Sequence, residues 1–138
     1  MFKTSGGKYV APQPIENMFL TNKYIEQFVL IGDKRMFITA LIVPDFEALK
    51  EYADAHRIQY SDEKELVKLK QINELLDKEF GNIQRNLSAF ERVRKFTLLE
   101  KPFTVEGGEL TPKMSVKRKV IEERYNHLIE DMYESLGG

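Results

Sequence analysis

Cysteine is absent from all 138 residues, which removes disulfide frameworks, thiol nucleophiles and sulfur-ligated metal sites together. Histidine occurs only twice, at His56 and His127. These are too few and too far apart in sequence for a metal site, which needs three or four convergent ligands, so no metal is assigned. No apolar run approaches the roughly 20 residues that cross a bilayer, and the N-terminus has no signal-peptide core. Charge of one sign is missing too: 21 Lys and Arg against 22 Asp and Glu leave a formal net charge of −1. That balance argues against a nucleic-acid partner. The length suits one domain over residues 1–138, large enough for a core without disulfide or metal. A soluble, cytoplasmic protein is the expectation, with peripheral membrane association left open.

What is present starts with short extended pieces between Met1 and Pro12, flanking a Ser5-Gly6-Gly7 loop. Gly6-Gly7-Lys8 is no P-loop: the earlier glycine is missing, and Tyr9 stands where Ser or Thr must follow the lysine. Paired glycines make a turn, or let a ligand or another domain approach the backbone closely. Residues 12–21 predict a short helix with Pro14 in its first turn and Ile15, Met18 and Phe19 on one face. Two runs, 24–31 and 36–43, predict strands joined by a Gly32-Asp33-Lys34-Arg35 hairpin turn. The second is nearly all apolar, as befits a central strand covered on both faces. Pro44 ends it, and Asp45 caps a helix that closes near His56. Apolar steps of three and four from Leu66 to Leu87 predict a long helix, or two helices broken near Gly81. Residues 92–99 predict a strand stopped by Pro102. Strands and helices mixed without regular alternation indicate an α+β fold, with helices packed on a small sheet. No hydrolytic nucleophile signature occurs.

The densest chemistry lies near the end. A Gly107-Gly108 turn and a Thr111-Pro112 break precede four cations, Lys113, Lys117, Arg118 and Lys119. From Val116 the apolar residues Val120, Ile121, Tyr125, Leu128, Ile129, Met132, Tyr133 and Leu136 share one helical face. The expected helix starts near Ser115 as N-cap. Three cations in its first turn oppose the helix dipole, by roughly 0.3–1 kcal/mol each when exposed. A positive helix start of that kind can hold phosphate or carboxylate. On this reading alone, a free-standing binding domain for a polyanion is one function the sequence allows.

Two motifs at opposite ends carry a family resemblance. Phe2-Lys3-Thr4-Ser5-Gly6-Gly7-Lys8-Tyr9-Val10-Ala11-Pro12, together with Phe90-Glu91-Arg92-Val93-Arg94-Lys95-Phe96 and the stretch from Leu110-Thr111-Pro112 to Arg118-Lys119, resembles the C-terminal domain of long-chain fatty-acid–CoA ligases in the adenylate-forming superfamily. The resemblance covers essentially the whole chain. It implies a mobile lid that works with an N-terminal adenylation domain outside this chain. In the reaction it implies, a fatty acid attacks the α-phosphate of ATP to give acyl-adenylate and pyrophosphate. The lid then rotates, and the thiol of CoA attacks the acyl carbon. ATP, CoA and Mg are held mainly by the larger domain, so this fragment alone is expected to bind none of them and to be inactive.

By the same resemblance Lys117 is the catalytic lysine, because Ser115-Val116-Lys117 fits the superfamily's Ser-Gly-Lys pattern with one residue fewer after Pro112. Lys119 is the alternative, since Lys113 replaces a threonine usual in these ligases and Ser115 replaces a lysine. Gly6, Gly7 and Lys8 match the segment that faces CoA. Arg118 and Lys119 are expected to be solvated or to pair across domains. The motif is expected to be a mobile loop leading into a firm helix.

Overall fold

The computed structural model describes residues 1–137. The chain opens with a two-stranded hairpin, β1 (Phe2–Lys3) and β2 (Tyr9–Val10), followed at once by helix α1 (Pro12–Leu20). Strands β3 (Ile25–Ile31) and β4 (Ile38–Pro44) then pair antiparallel. Helices α2 (Phe46–Ala55), α3 (Glu63–Leu66) and α4 (Lys70–Ile83) lead to β5 (Val93–Leu98), which returns parallel to β4. Helices α5 (Arg118–Arg124) and α6 (Asn126–Ser135) complete the described residues.

The sheet order β3-β4-β5 puts β4 in the middle, and its position follows from its sequence. All seven of its residues are buried, because a strand flanked on both edges and covered on both faces can carry apolar side chains in either direction. Ile38, Ala40 and Ile42 point into a core filled by Phe19 of α1, Leu49 of α2, Leu66 of α3 and Leu76 of α4. Leu41 and Val43 point the other way, onto Ile121 of α5 and Ile129 and Met132 of α6. Phe19 ties the first layer together, stacking on Phe28 at 4.5 Å and tilting against Phe80 at 4.6 Å. Helices therefore sandwich the sheet, an α+β arrangement as the sequence implies.

The early elements agree with the sequence, except that Met18, expected on the packing face of α1, is exposed and Glu16 is buried there instead. Asp45 caps α2, its side chain accepting from the Ala48 amide at 3.1 Å, which satisfies a donor the helix start leaves free. Two helix boundaries depart from it. The break expected near Gly81 lies instead at residues 67–69, between α3 and α4, and Gly81 sits inside α4. The Asn73 side-chain amide donates to the carbonyls of Val67 and Leu69, both at 2.9 Å. That bond stabilises the break, whereas an exposed glycine on a helix surface only lowers propensity.

The second departure is at the C-terminus. The single helix expected from Ser115 starts at Arg118 and bends at Tyr125, which divides α5 from α6. Tyr125 turns inward to meet Phe103 edge-on at 6.1 Å. Ser115 caps nothing: it lies opposite Thr111 in a hairpin, accepting the Thr111 amide on its carbonyl at 2.8 Å. Proline at position 112 favours that turn and cannot continue a helix backward.

Two carboxylates are buried among the described residues, Glu16 and Glu109, and Glu16 lies against the sheet. Glu16, on the inward face of α1, is only 9% exposed, yet it stands on the same side as Ile15 and Phe19. Its carboxylate accepts the Leu30 amide at 2.8 Å and both ends of the Arg118 guanidinium, at 2.9 and 3.2 Å. Removing one member of a buried pair leaves the other charge uncompensated, at about 3 kcal/mol or more. Glu16→Ala should therefore lower the urea-unfolding free energy of this chain by about 3 kcal/mol, one of the larger losses available to a domain of this size. A loss below ~1 kcal/mol would mean that the pair is idle.

Candidate functional site

The two nominated segments turn out to be the same turn built twice. In the first, the Thr4 amide donates to the Lys8 carbonyl at 2.8 Å, the Gly7 amide to the Thr4 carbonyl at 3.0 Å, and the Lys8 amide to Thr4 Oγ1 at 3.1 Å. In the second, the Thr111 amide donates to the Ser115 carbonyl at 2.8 Å, the Met114 amide to the Thr111 carbonyl at 2.8 Å, and the Ser115 amide to Thr111 Oγ1 at 3.1 Å. Each is a three-residue hairpin loop whose last member lies in the left-handed region. Gly7 holds that position at φ 83°, and Met114 holds it at φ 66°. The Thr-Pro motif is thus a hydrogen-bonded hairpin, with Leu110 bridged to Val116 and buried, in place of the loose loop expected.

Lys117 occupies the junction between this hairpin and α5. Its amide donates to the Glu109 carbonyl at 2.8 Å, and its own carbonyl accepts from Ile121 at 3.1 Å. The backbone is therefore held from both sides while the side chain is exposed. Among the described residues its ammonium joins no ion pair or side-chain hydrogen bond. Glu109, nearest in the hairpin, is already engaged: it is buried, accepts the Thr104 amide at 3.1 Å and pairs with Arg124 at 3.2 Å. A held backbone with a flexible, uncommitted cation can meet an incoming anion without first breaking a bond.

The neighbouring cations differ. Arg118 is neither solvated nor free for another domain, contrary to expectation. Besides holding Glu16 it donates to the Leu30 carbonyl at 2.7 Å and lies over the Phe2 ring at 5.1 Å. With α5 only seven residues long and its first cation engaged, the anion-holding helix start expected from sequence is not what the fold makes. Lys119 is exposed and borders a hollow of about 490 Å³ lined by Asp33, Arg35, Glu122 and Glu123. Burial pushes the Glu122 carboxyl above the usual carboxylate range, while Arg118 pulls the other way. The larger hollow, about 610 Å³, lies along β5 and past Tyr125 and His127, and contains none of the nominated residues.

At the glycine turn, Gly6, Gly7 and Lys8 are all exposed. Lys8 Nζ sits 5.6 Å from the centroid of the half-exposed Phe90 ring, and Lys3 Nζ equally far from that of Tyr9. The turn packs beside the β3–β4 connection, its Ser5 amide donating to the Arg35 carbonyl at 3.0 Å. Arg118 joins the two hairpins, because Phe2 belongs to one and Lys117 to the other. Sequence reasoning missed Glu16. The signal was a carboxylate one residue after Ile15 and three before Phe19, on the buried side of a short helix.

Residues 2–137 match the family model described as the AMP-binding enzyme C-terminal domain. A peroxisomal long chain acyl-CoA synthetase 6 of Arabidopsis thaliana is 31% identical over 140 residues, covering 99% of this chain and 20% of that protein. Long-chain-fatty-acid–CoA ligase 1 of Homo sapiens is 30% identical over 139 residues, with 99% and 20% covered. Among solved structures, the A-PCP didomain of carboxylic acid reductase from Segniliparus rugosus in complex with AMP superposes with a TM-score of 0.78 and 27% identity, over 99% of this chain and 17% of that one. The chain spans about a fifth of the length of the curated relatives it matches.

Three substitutions, read by stability, check the construction of the site and its surroundings. An L-residue in the left-handed region costs roughly 1 kcal/mol, and glycine there costs nothing but has a freer unfolded chain. Met114→Gly should thus raise stability by about 0.5 kcal/mol, while Gly7→Ala should lower it by about 1 kcal/mol. Crowding does not enter at Gly7, since an added Cβ would meet nothing within 4 Å. For Glu122 the folded carboxyl holds its proton to a higher pH than the unfolded one, so its ionisation opposes folding as pH rises past the carboxylate range. Glu122→Gln should raise the urea midpoint at about pH 7 and leave it unchanged below about pH 4, where the group is protonated in both states.

Proposed function

The chain belongs to the AMP-binding enzyme C-terminal domain family, and from that membership we propose that it is the lid of an ATP-dependent long-chain fatty-acid–CoA ligase, with Lys117 as the catalytic lysine. The observation that carries this reading is the state of Lys117: backbone held at both ends, side chain exposed, charge uncommitted. Its partner is an N-terminal adenylation domain, which holds most of the fatty acid, ATP and Mg contacts.

In the first half-reaction the fatty-acid carboxylate attacks the α-phosphorus of ATP, the new P–O bond forms, and pyrophosphate leaves. Two anions must approach each other, and negative charge shifts onto the departing pyrophosphate. An ammonium brought to that point by closure of the lid stabilises both, most strongly where water is excluded. In the second half-reaction the thiolate of CoA attacks the acyl carbon, and AMP leaves. Lys117 must then withdraw, and the Gly6-Gly7-Lys8 turn faces the incoming CoA. A glycine turn with no side chains at its tip allows close approach of a narrow chain, and Lys8 adds a cation for the phosphates of that ligand. Lys119 borders carboxylates, which makes it the poorer choice for meeting a phosphate.

Lys117→Ala, in the polypeptide that joins this domain to its adenylation domain, should slow acyl-adenylate formation by about 10²–10³-fold, the scale of removing one preorganised donor. Thioester formation from preformed acyl-adenylate should change less than about threefold, and Lys119→Ala should leave both steps near wild type. The checks are ATP–pyrophosphate exchange and single-turnover thioester formation. Equal losses in the two steps, or no loss, would sink the assignment of Lys117.

A further inference from the structure

We propose that Glu16 and Arg118 are positioning residues that set the lysine hairpin and the glycine hairpin in one fixed relation, so that a single ion pair aligns both working edges of the lid. This rests on the reading of Lys117 and of Gly6, Gly7 and Lys8 given above.

The geometry is that of a four-way clamp. The guanidinium reaches Glu16 Oε2 at 2.9 Å and Oε1 at 3.2 Å, the Leu30 carbonyl at 2.7 Å, and the face of Phe2 at 5.1 Å. Each partner belongs to a different element. Phe2 is in β1, one residue ahead of the Lys3 that pairs with Tyr9. Glu16 is in α1, which begins two residues after β2 ends. Leu30 is in β3, and its amide is held by the same Glu16 carboxylate at 2.8 Å. The glycine turn is thus anchored directly at β1 through Phe2, and on the other side through α1, the helix that follows β2.

On the other side, Arg118 follows Lys117 directly. The Lys117 amide is fixed to Glu109, so the lysine's Cα has one restraint from the hairpin and one from the clamp. Moving the guanidinium moves the root of the lysine side chain. A bidentate Arg–carboxylate pair fixes direction as well as distance, which a lysine at this position could not do. Catalytic geometry is sensitive on this scale, since a shift of about 1 Å can cost up to about a hundredfold in rate.

The clamp also closes the outer edge of β3 at Leu30, a purely architectural service, so the test must separate the two. Arg118→Lys keeps the charge and removes the fork; Glu16→Gln keeps the shape and removes the charge. Both are measured in the two-domain polypeptide at a temperature where circular dichroism shows the same folded fraction as wild type, beside Lys117→Ala. The expected result is a loss of about tenfold or more in the rate of both half-reactions, with KM for ATP changed less than about twofold. Hydrogen exchange supplies a readout without turnover: the amides of Thr4 and Lys8 and those of Thr111 and Lys117 should exchange faster together, by about tenfold.

Lowered thermal stability with both rates and both sets of amides unchanged would overturn the proposal and leave the pair a seal for β3. A loss confined to adenylate formation, with exchange faster only at Thr111 and Lys117, would also overturn it, because the coupling to the glycine turn would be absent. If Lys117→Ala leaves adenylate formation intact, the function assigned to Lys117 fails instead, and the exchange experiment still decides whether the hairpins are coupled.

Discussion

A carboxylate placed on the buried face of a short helix sets the terms for this fold. Glu16 sits against the outer edge of β3, where Leu30 turns its amide and carbonyl away from β4. Left alone, a buried carboxylate, a bare amide and a bare carbonyl would each cost free energy. Glu16 and Arg118 resolve all three together: the carboxylate accepts the Leu30 amide, and the Arg118 fork spans the carboxylate and still reaches the Leu30 carbonyl. The same device recurs with neutral partners. Gln84 both accepts from the Val93 amide of β5 at 2.8 Å and donates to its carbonyl at 3.2 Å, and Gln27 of β3 holds the Phe103 backbone, in the loop after β5, the same way at 2.7 and 3.0 Å. A three-stranded sheet is short of neighbours, and side chains here stand in for the missing strands.

Closing the edges this way has a mechanical consequence. A strand added to β3 would have hidden the ground where the β1–β2 hairpin and the start of α5 now meet. Side chains seal the same bonds and leave the surface open, so both hairpins can project from it. Each projects through a tight three-residue loop with identical bonding, a stiff mount in place of a flexible one. For the proposed lid, stiff mounts have an advantage, since orientation held in advance need not be found again at each step.

How far the sequence disclosed this depends on the range of each interaction. The central strand was legible because burial on both faces writes itself into consecutive residues, and the α2 cap was legible because Asp45 acts three residues away. The α3–α4 break was not, because it depends on Asn73 reaching back to two carbonyls while Gly81 offers the more familiar signal. Ser115 misled for a related reason: serine before an apolar stripe suits a cap, but the preceding Thr-Pro pair had already committed it to a hairpin. Arg118 lies 102 residues from Glu16, and no local period encodes a partner at that distance. At the candidate site, residue types nominated a cluster of cations and the resemblance singled out Lys117; the fold adds that Arg118 is locked on Glu16.

That division of work answers the oddity of a basic helix start. Three successive cations would each oppose the helix dipole if all lay free in the first turn. Lys117 escapes because it precedes the helix, where it can extend toward solvent from a fixed root. Arg118 lies inside the first turn, but Glu16 neutralises it, and the pair's own bonds outweigh a dipole term well below the worth of a buried ion pair. Lys119 is exposed beside a hollow bordered by Asp33, Glu122 and Glu123 as well as Arg35, where water screens its charge. Each cation therefore has its own setting: Lys117 and Lys119 both join no ion pair among the described residues, and Lys117 is the one rooted between the hairpin and the helix. A locked neighbour is what makes this freedom useful: an ammonium on a flexible stem can be aimed only if the stem starts from a place the fold has already fixed.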